Sequence, residues 1–131
     1  MELNHDCVRA ILIWTETNVQ MGQPQYTDSL FKDTSFSKWT DDEIIYCVAK
    51  LNEAGFLDGG AIVKGNQVSI NAINSLTWAG HTYLDTIRDD KVWRKTKSVL
   101  SDLKSASLST AGKVAETILL GIIKKKTGLP L

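Results

Sequence analysis

Apolar residues recur at helical spacing from the first turn of the chain. Val8, Ile11, Leu12, Thr15 and Val19 fall on one stripe, which predicts a helix over 5–20. Asn4 stands where an N-cap belongs, and Met21-Gly22-Gln23-Pro24 ends the run. Residues 25–38 scatter Tyr26, Leu30, Phe31 and Phe36 without a 3.6-residue repeat, and read as a loop with one short strand. Thr40-Asp41-Asp42-Glu43 then forms a capping box, in which the Thr40 hydroxyl accepts from the Glu43 amide and the Glu43 carboxylate reaches back. It opens a helix whose buried face is Ile44, Ile45, Val48 and Leu51. Gly55 closes that helix as a left-handed cap, and Phe56 and Leu57 fold back toward the core.

The period changes from helical to alternating over 61–73. Ala61-Ile62-Val63-Lys64 and Gln67-Val68-Ser69-Ile70 flank Gly65-Asn66, the pattern of a hairpin with a type II′ turn. Helical spacing returns after Thr77, which caps a stripe of Gly80, Tyr83, Leu84 and Ile87 preceded by Leu76. Asp89-Asp90 caps a further helix over 91–104, with Val92, Trp93, Thr96, Val99, Leu100 and Leu103 on its apolar side. The small residues of 105–109 form a hinge, and a last helix covers about 110–126. The pattern predicts an α+β, mainly α protein. Its parts are a winged-helix-like domain over 1–75 with a β-hairpin wing, and a C-terminal helical extension over 76–131.

Composition adds little until it is divided along the chain. The 131 residues carry 15 basic and 15 acidic side chains, and 43% are apolar, which suits one folded domain of ordinary content. Residues 1–90 hold 6 basic and 13 acidic residues, a net charge of −7, whereas residues 91–131 hold 9 basic and 2 acidic, a net of +7. Such asymmetry marks a basic tail with an anionic partner, two parts that attract each other, or solvated helix faces. The acidic start is unlike a secretory leader, and no apolar run is long enough to span a bilayer. With Cys7 and Cys47 as reduced, buried thiols, the expected location is cytoplasmic, without integral membrane association.

Helix, short extended piece, helix ending in Ala54-Gly55-Phe56-Leu57, then hairpin, is the order of a winged-helix module. Lys50-Leu51-Asn52-Glu53-Ala54-Gly55-Phe56-Leu57 resembles the end of recognition helices in bacterial winged-helix regulators. The block from Leu76-Thr77-Trp78-Ala79-Gly80-His81 to Asp89-Asp90-Lys91-Val92-Trp93-Arg94-Lys95-Thr96-Lys97 resembles the signature of an uncharacterised bacterial and prophage family, domain of unknown function 2513. Leu3-Asn4-His5-Asp6 and Thr40-Asp41-Asp42-Glu43 are similar to it too. The resemblance implies a winged-helix-like fold in a phage or bacterial setting, and no activity.

A DNA-reading helix presents cations and amides to base edges. Here its first turn is Asp41-Asp42-Glu43, its exposed middle offers Tyr46 and Lys50, and the wing adds Lys64 alone. Residues 33–39 look extended and leave little room for a positioning helix. The frame is therefore read as one used for protein contacts, with DNA-binding regulation as the alternative. Lys91, Arg94, Lys95, Lys97, Lys124, Lys125 and Lys126 could track phosphates or meet an acidic partner. The stripe Val114, Ile118, Leu119, Ile122 and Ile123 needs cover, from the first domain, an anionic membrane surface or, the preferred reading, a second copy, and a homo-oligomer or a host or phage protein is the partner it predicts.

Chemistry of other kinds is poorly served. His5, His81, Cys7 and Cys47 lack zinc-ligand spacing, and a Cys–His pair lacks an orienting third group. Asp85, Asp89 and Asp90 read as helix end-charges among Arg88 and Lys91, and Gly59-Gly60 lacks the context of a phosphate loop. Trp14, Trp78 and Trp93 read as core, and Trp39 as a contact ahead of the capping box. No catalytic residue, metal or cofactor is assigned, and a non-enzymatic protein is expected.

Overall fold

The computed structural model of the chain describes residues 2–64, 67–103 and 107–130, with backbone alone for 61–64 and 67–71. Helix α1 (His5–Asn18) starts where the Asn4 side chain accepts the Cys7 N–H at 3.0 Å. It ends at Val19, whose N–H still donates to the Thr15 carbonyl, two residues earlier than the apolar spacing suggests. Cys7, Val8, Ile11 and Leu12 are fully buried.

Residues 25–38 are more ordered than their lack of period indicates. Strand β1 (Gln25–Tyr26) runs directly into a short helix, α2 (Thr27–Phe31), followed by a 3-10 turn (Thr34–Phe36). The expectation of a loop, and of an extended 33–39, is corrected. Five residues make too few turns for a period to show, and only Leu30 within them is a fully buried apolar anchor. Asp33 starts the 3-10 turn by accepting the Ser35 N–H at 2.9 Å and its hydroxyl at 2.6 Å.

Helix α3 (Asp41–Glu53) begins with Thr40 Oγ1 accepting the Glu43 N–H at 3.1 Å. Ile44, Cys47, Val48 and Leu51 are its buried positions, whereas Ile45 is half-buried. The helix closes in a Schellman arrangement: the Phe56 N–H donates to Leu51 O and the Gly55 N–H to Asn52 O. Gly55 adopts φ +79°, a left-handed conformation that a side chain would strain.

Strands β2 (Leu57–Lys64) and β3 (Gln67–Leu76) pair antiparallel from Leu57↔Leu76 to Lys64↔Gln67. The hairpin is thus present and longer at its base than alternation alone reveals; its Gly65-Asn66 turn lies outside the described residues. With β1 paired to β3, the sheet has three antiparallel strands in the order β1-β3-β2. A register shift between Asp58 and Gly59 brings Gly59 so close to the Ala72 carbonyl that a Cβ there would collide with it. The sheet, α1, α2 and α3 enclose the core of the first unit, which includes Leu30, Phe36, Leu57 and Ile73.

Helix α4 (Trp78–Ile87) is capped by Thr77, whose Oγ1 accepts the Gly80 N–H at 3.0 Å and donates to the Gly55 carbonyl. Helix α5 (Asp90–Ser101) is capped by Asp89, which accepts the Val92 N–H at 2.9 Å. Helix α6 (Leu108–Thr127) is capped by Ser107 and ends at Gly128, φ +69°. The chain divides into two compact units, residues 1–81 and 82–131, with the division inside α4. The result is an α+β, mainly α protein.

The tryptophans part company. Trp93 and Trp14 are buried, but Trp78 is 88% exposed, so its assignment to the core is corrected. It lies two residues before Gly80, about 200° round the helix from the Gly80–Leu84–Ile87 stripe. Val99 and Leu103, expected on the apolar side of α5, are 42% and 44% exposed.

Candidate interaction surface

The second unit holds most of the basic tail. Helices α5 and α6 pack together, and Lys91 near the start of α5 shares a groove with Lys125 and Lys126 at the end of α6, so the pair is antiparallel. Two alanines one turn apart, Ala111 and Ala115, are the fully buried residues of α6. Gly112 lies against the Tyr83 ring, 3.4 Å from where a Cβ would stand. Small residues thus seat α6, and its larger apolar residues are left at the edges of the contact. Val114, Ile118, Leu119 and Ile122 are half-buried; Leu120 and Ile123 are 44% and 37% exposed.

A groove of about 490 Å³ follows the α5–α6 seam, lined by Lys91 and Lys95 from α5 and by Thr117, Ile118, Gly121, Ile122, Lys125 and Lys126 from α6. A second hollow of about 340 Å³ continues it along Val99, Lys113, Val114, Thr117 and Ile118. The geometry follows from helical rows. Lys91, Lys95 and Val99 form one i, i+4 row of α5. Lys113-Thr117-Gly121-Lys125 and Val114-Ile118-Ile122-Lys126 are neighbouring rows of α6. The floor is isoleucine and glycine, and a Cβ on Gly121 would meet nothing. The rim is ammonium groups from both helices.

The structure therefore gathers Lys91, Lys95, Lys125, Lys126, Val114, Ile118 and Ile122 into one surface. Arg94, Lys97 and Lys124 are exposed but do not line it, and Leu119 and Ile123 sit on other faces of α6. Lys50 belongs to the first unit, where its Nζ lies 2.9 Å from Glu53 and 5.5 Å from the Tyr46 ring centroid. The Glu53 carboxylate holds the Lys50 ammonium above the ordinary lysine range. The Lys64 side chain lies outside the described part. Val99, Lys113, Thr117 and Gly121 were missed by sequence reasoning; the signal that finds them is the i, i+4 row, once the antiparallel α5–α6 pairing is known.

The first unit has different chemistry. Asp41 and Asp42 are exposed at the start of α3. A separate cleft of about 450 Å³ runs between α1 and the 3-10 turn, with Trp14, Phe36 and Trp39 on its walls and Arg9, Asp33 and Lys38 at its edges. Lys38 Nζ stands 4.6 Å over the Trp39 ring, which itself packs on Phe36. Cys7 and Cys47 are free and buried side by side, with the Cys47 thiol directed at the Asn4 carbonyl. The Cys7 thiol is pushed up by its hydrogen bond with Cys47 and by burial. His81 Nδ1 lies 3.9 Å from Glu16. Among the described residues, no group of three or more His, Cys, Asp or Glu could hold a metal ion, and no helix is long and apolar enough to cross a membrane.

The fold and surface define a mainly helical α+β protein with a small antiparallel sheet and a lysine-rimmed apolar groove. The chain belongs to the family described as hypothetical protein (DUF2513), which matches residues 2–107. It is 32% identical over 120 residues to an "Uncharacterized protein" of Haemophilus influenzae, covering 91% of this chain and 96% of that one. No solved structure matches it.

Proposed function

We propose that the protein is a non-enzymatic interaction module of phage, prophage or bacterial origin, built on a winged-helix frame and self-associating through the face of α5 and α6. The single observation that carries this reading is the state of α6. Its buried residues are alanines, while Ile118 and Ile122 on the groove, and Leu119, Leu120 and Ile123 outside it, keep apolar surface open to solvent. Open apolar surface rimmed by charged residues is a mark of an interface. The frame is supported by the element order α1-β1-α2-α3-β2-β3 and the strand order β1-β3-β2.

DNA binding is the second reading, and one observation favours it: α2 exists and packs against α3, as a positioning helix would. Charge opposes it. Residues 1–81 hold 10 acidic and 5 basic side chains, and three of the acids form the first turn of α3. Light scattering on the full chain tests the first reading, with a mass above that of one chain, lost in an Ile118→Gln/Ile122→Gln variant, as the expected result. A duplex DNA shift at low salt, abolished by neutralising Arg94, Lys95 and Lys97 together, would favour the second.

A further inference from the structure

We propose that the α5–α6 groove receives the acidic outer face of α3 from a second copy of the chain. The inference rests on the self-association reading and names the surface that meets the groove. The outer face of α3 also has i, i+4 rows: Asp41 and Asp42 are exposed, and Ile45 and Tyr46, one turn on, are half-buried. It is thus a pair of carboxylates followed by apolar surface. The groove presents a matching order, Lys91, Lys125 and Lys126 at one end, where the Asp89 carboxylate lies near Lys91 and Lys126, and Ile118, Val114 and Val99 toward the other, where Lys113 is the one lining cation.

Length and charge agree. Asp41 to Ala49 spans about 12 Å of helix, as does Lys91 to Val99, at about 1.5 Å per residue. Lys50, which would follow Ala49 into the far end, is already neutralised by Glu53 at 2.9 Å. Residues 1–81 carry 10 acidic against 5 basic groups, and residues 82–131 carry 5 acidic against 10 basic. The two units of different copies therefore attract, and salt weakens the attraction. The contact joins unlike surfaces, so each bound pair leaves one α3 face and one groove free, and assembly proceeds to chains or a ring.

The experiment is sedimentation equilibrium on the full chain, on Asp41→Asn/Asp42→Asn, on Lys91→Gln/Lys95→Gln, and on their equal mixture. Wild type is expected to exceed a dimer as concentration rises. Each variant alone associates about tenfold more weakly, from the loss of two ion pairs at the edge of a contact. The mixture regains near-wild-type affinity but stops at one-to-one pairs, because only one intact groove meets one intact α3 face. Variants that associate like wild type overturn the inference while leaving self-association standing, provided Ile118→Gln/Ile122→Gln still abolishes it. A mixture that stays dissociated also overturns the inference. A wild-type monomer that instead shifts duplex DNA through Lys91 and Lys95 removes both the inference and the reading beneath it.

Discussion

Replacing Gly80 by Ala should destabilise the protein, although alanine is the better helix former. In an open helical position the change gains about 1 kcal/mol. At Gly80 the added Cβ would fall inside the radius of the Phe56 carbonyl oxygen, 3.0 Å from its carbon and 3.3 Å from its Cα. The obstacle is backbone, and it is held in place. The Phe56 carbonyl accepts the Thr77 N–H at 3.1 Å, and the Phe56 N–H completes the α3 cap at 2.9 Å. Overpacking of this kind costs roughly 1–3 kcal/mol. Loss of the Thr77 bond adds about 1 kcal/mol. The steric side wins, and the net destabilisation is about 2 kcal/mol. Urea unfolding followed by circular dichroism reads it as a lowered midpoint at unchanged slope. Gly121→Ala is the control in dilute protein, where the groove is empty: its Cβ meets nothing within the chain, so it should gain about 0.5–1 kcal/mol. A Gly80→Ala protein as stable as wild type would refute the close approach of α4 to the α3 cap.

Other perturbations probe separate parts. Gly55→Ala, at φ +79°, should cost about 1–2 kcal/mol in the same urea assay, and Gly55→Asn less. Asp89 is held below the ordinary carboxylate range by the Val92 N–H, the Lys91 N–H and the nearby Lys126 and Lys91 charges. Its contribution is complete above the usual carboxylate pKa and is lost as pH falls through the lowered folded value. The melting difference between wild type and Asp89→Ala should accordingly shrink in acid. Cys7 and Cys47, both buried, should react with a thiol reagent only as fast as the protein opens, and faster in urea. Trp78 should dominate quenching by acrylamide, and Trp78→Ser should remove that component with little change in the urea midpoint.

Much of the fold is written in local chemistry. Asn4, Thr40, Thr77 and Asp89 cap the helices they announce, because an N-cap is a short-range hydrogen bond that sequence displays directly. Gly55 likewise ends α3 where its left-handed φ requires. Helix α2 is hidden because five residues bury one leucine and show no period. Trp78 misleads because an aromatic near a helical stripe looks like core until its angle round the helix is measured. The surface is legible in part. The lysines and the α6 stripe stand out in the sequence, but the groove is a property of two helices. It appears only when rows 91/95/99 and 113/117/121/125 are laid antiparallel. Lys50 shows the converse, a cation that looks available in sequence and is claimed by Glu53 three residues away.

The most direct test of the account is sedimentation velocity of the wild-type chain over a concentration series at low and high salt. An open apolar helix face rimmed with lysine predicts species heavier than one chain at low salt, growing with concentration and receding as salt is added. A single species of one-chain mass at every concentration and both salts would contradict it.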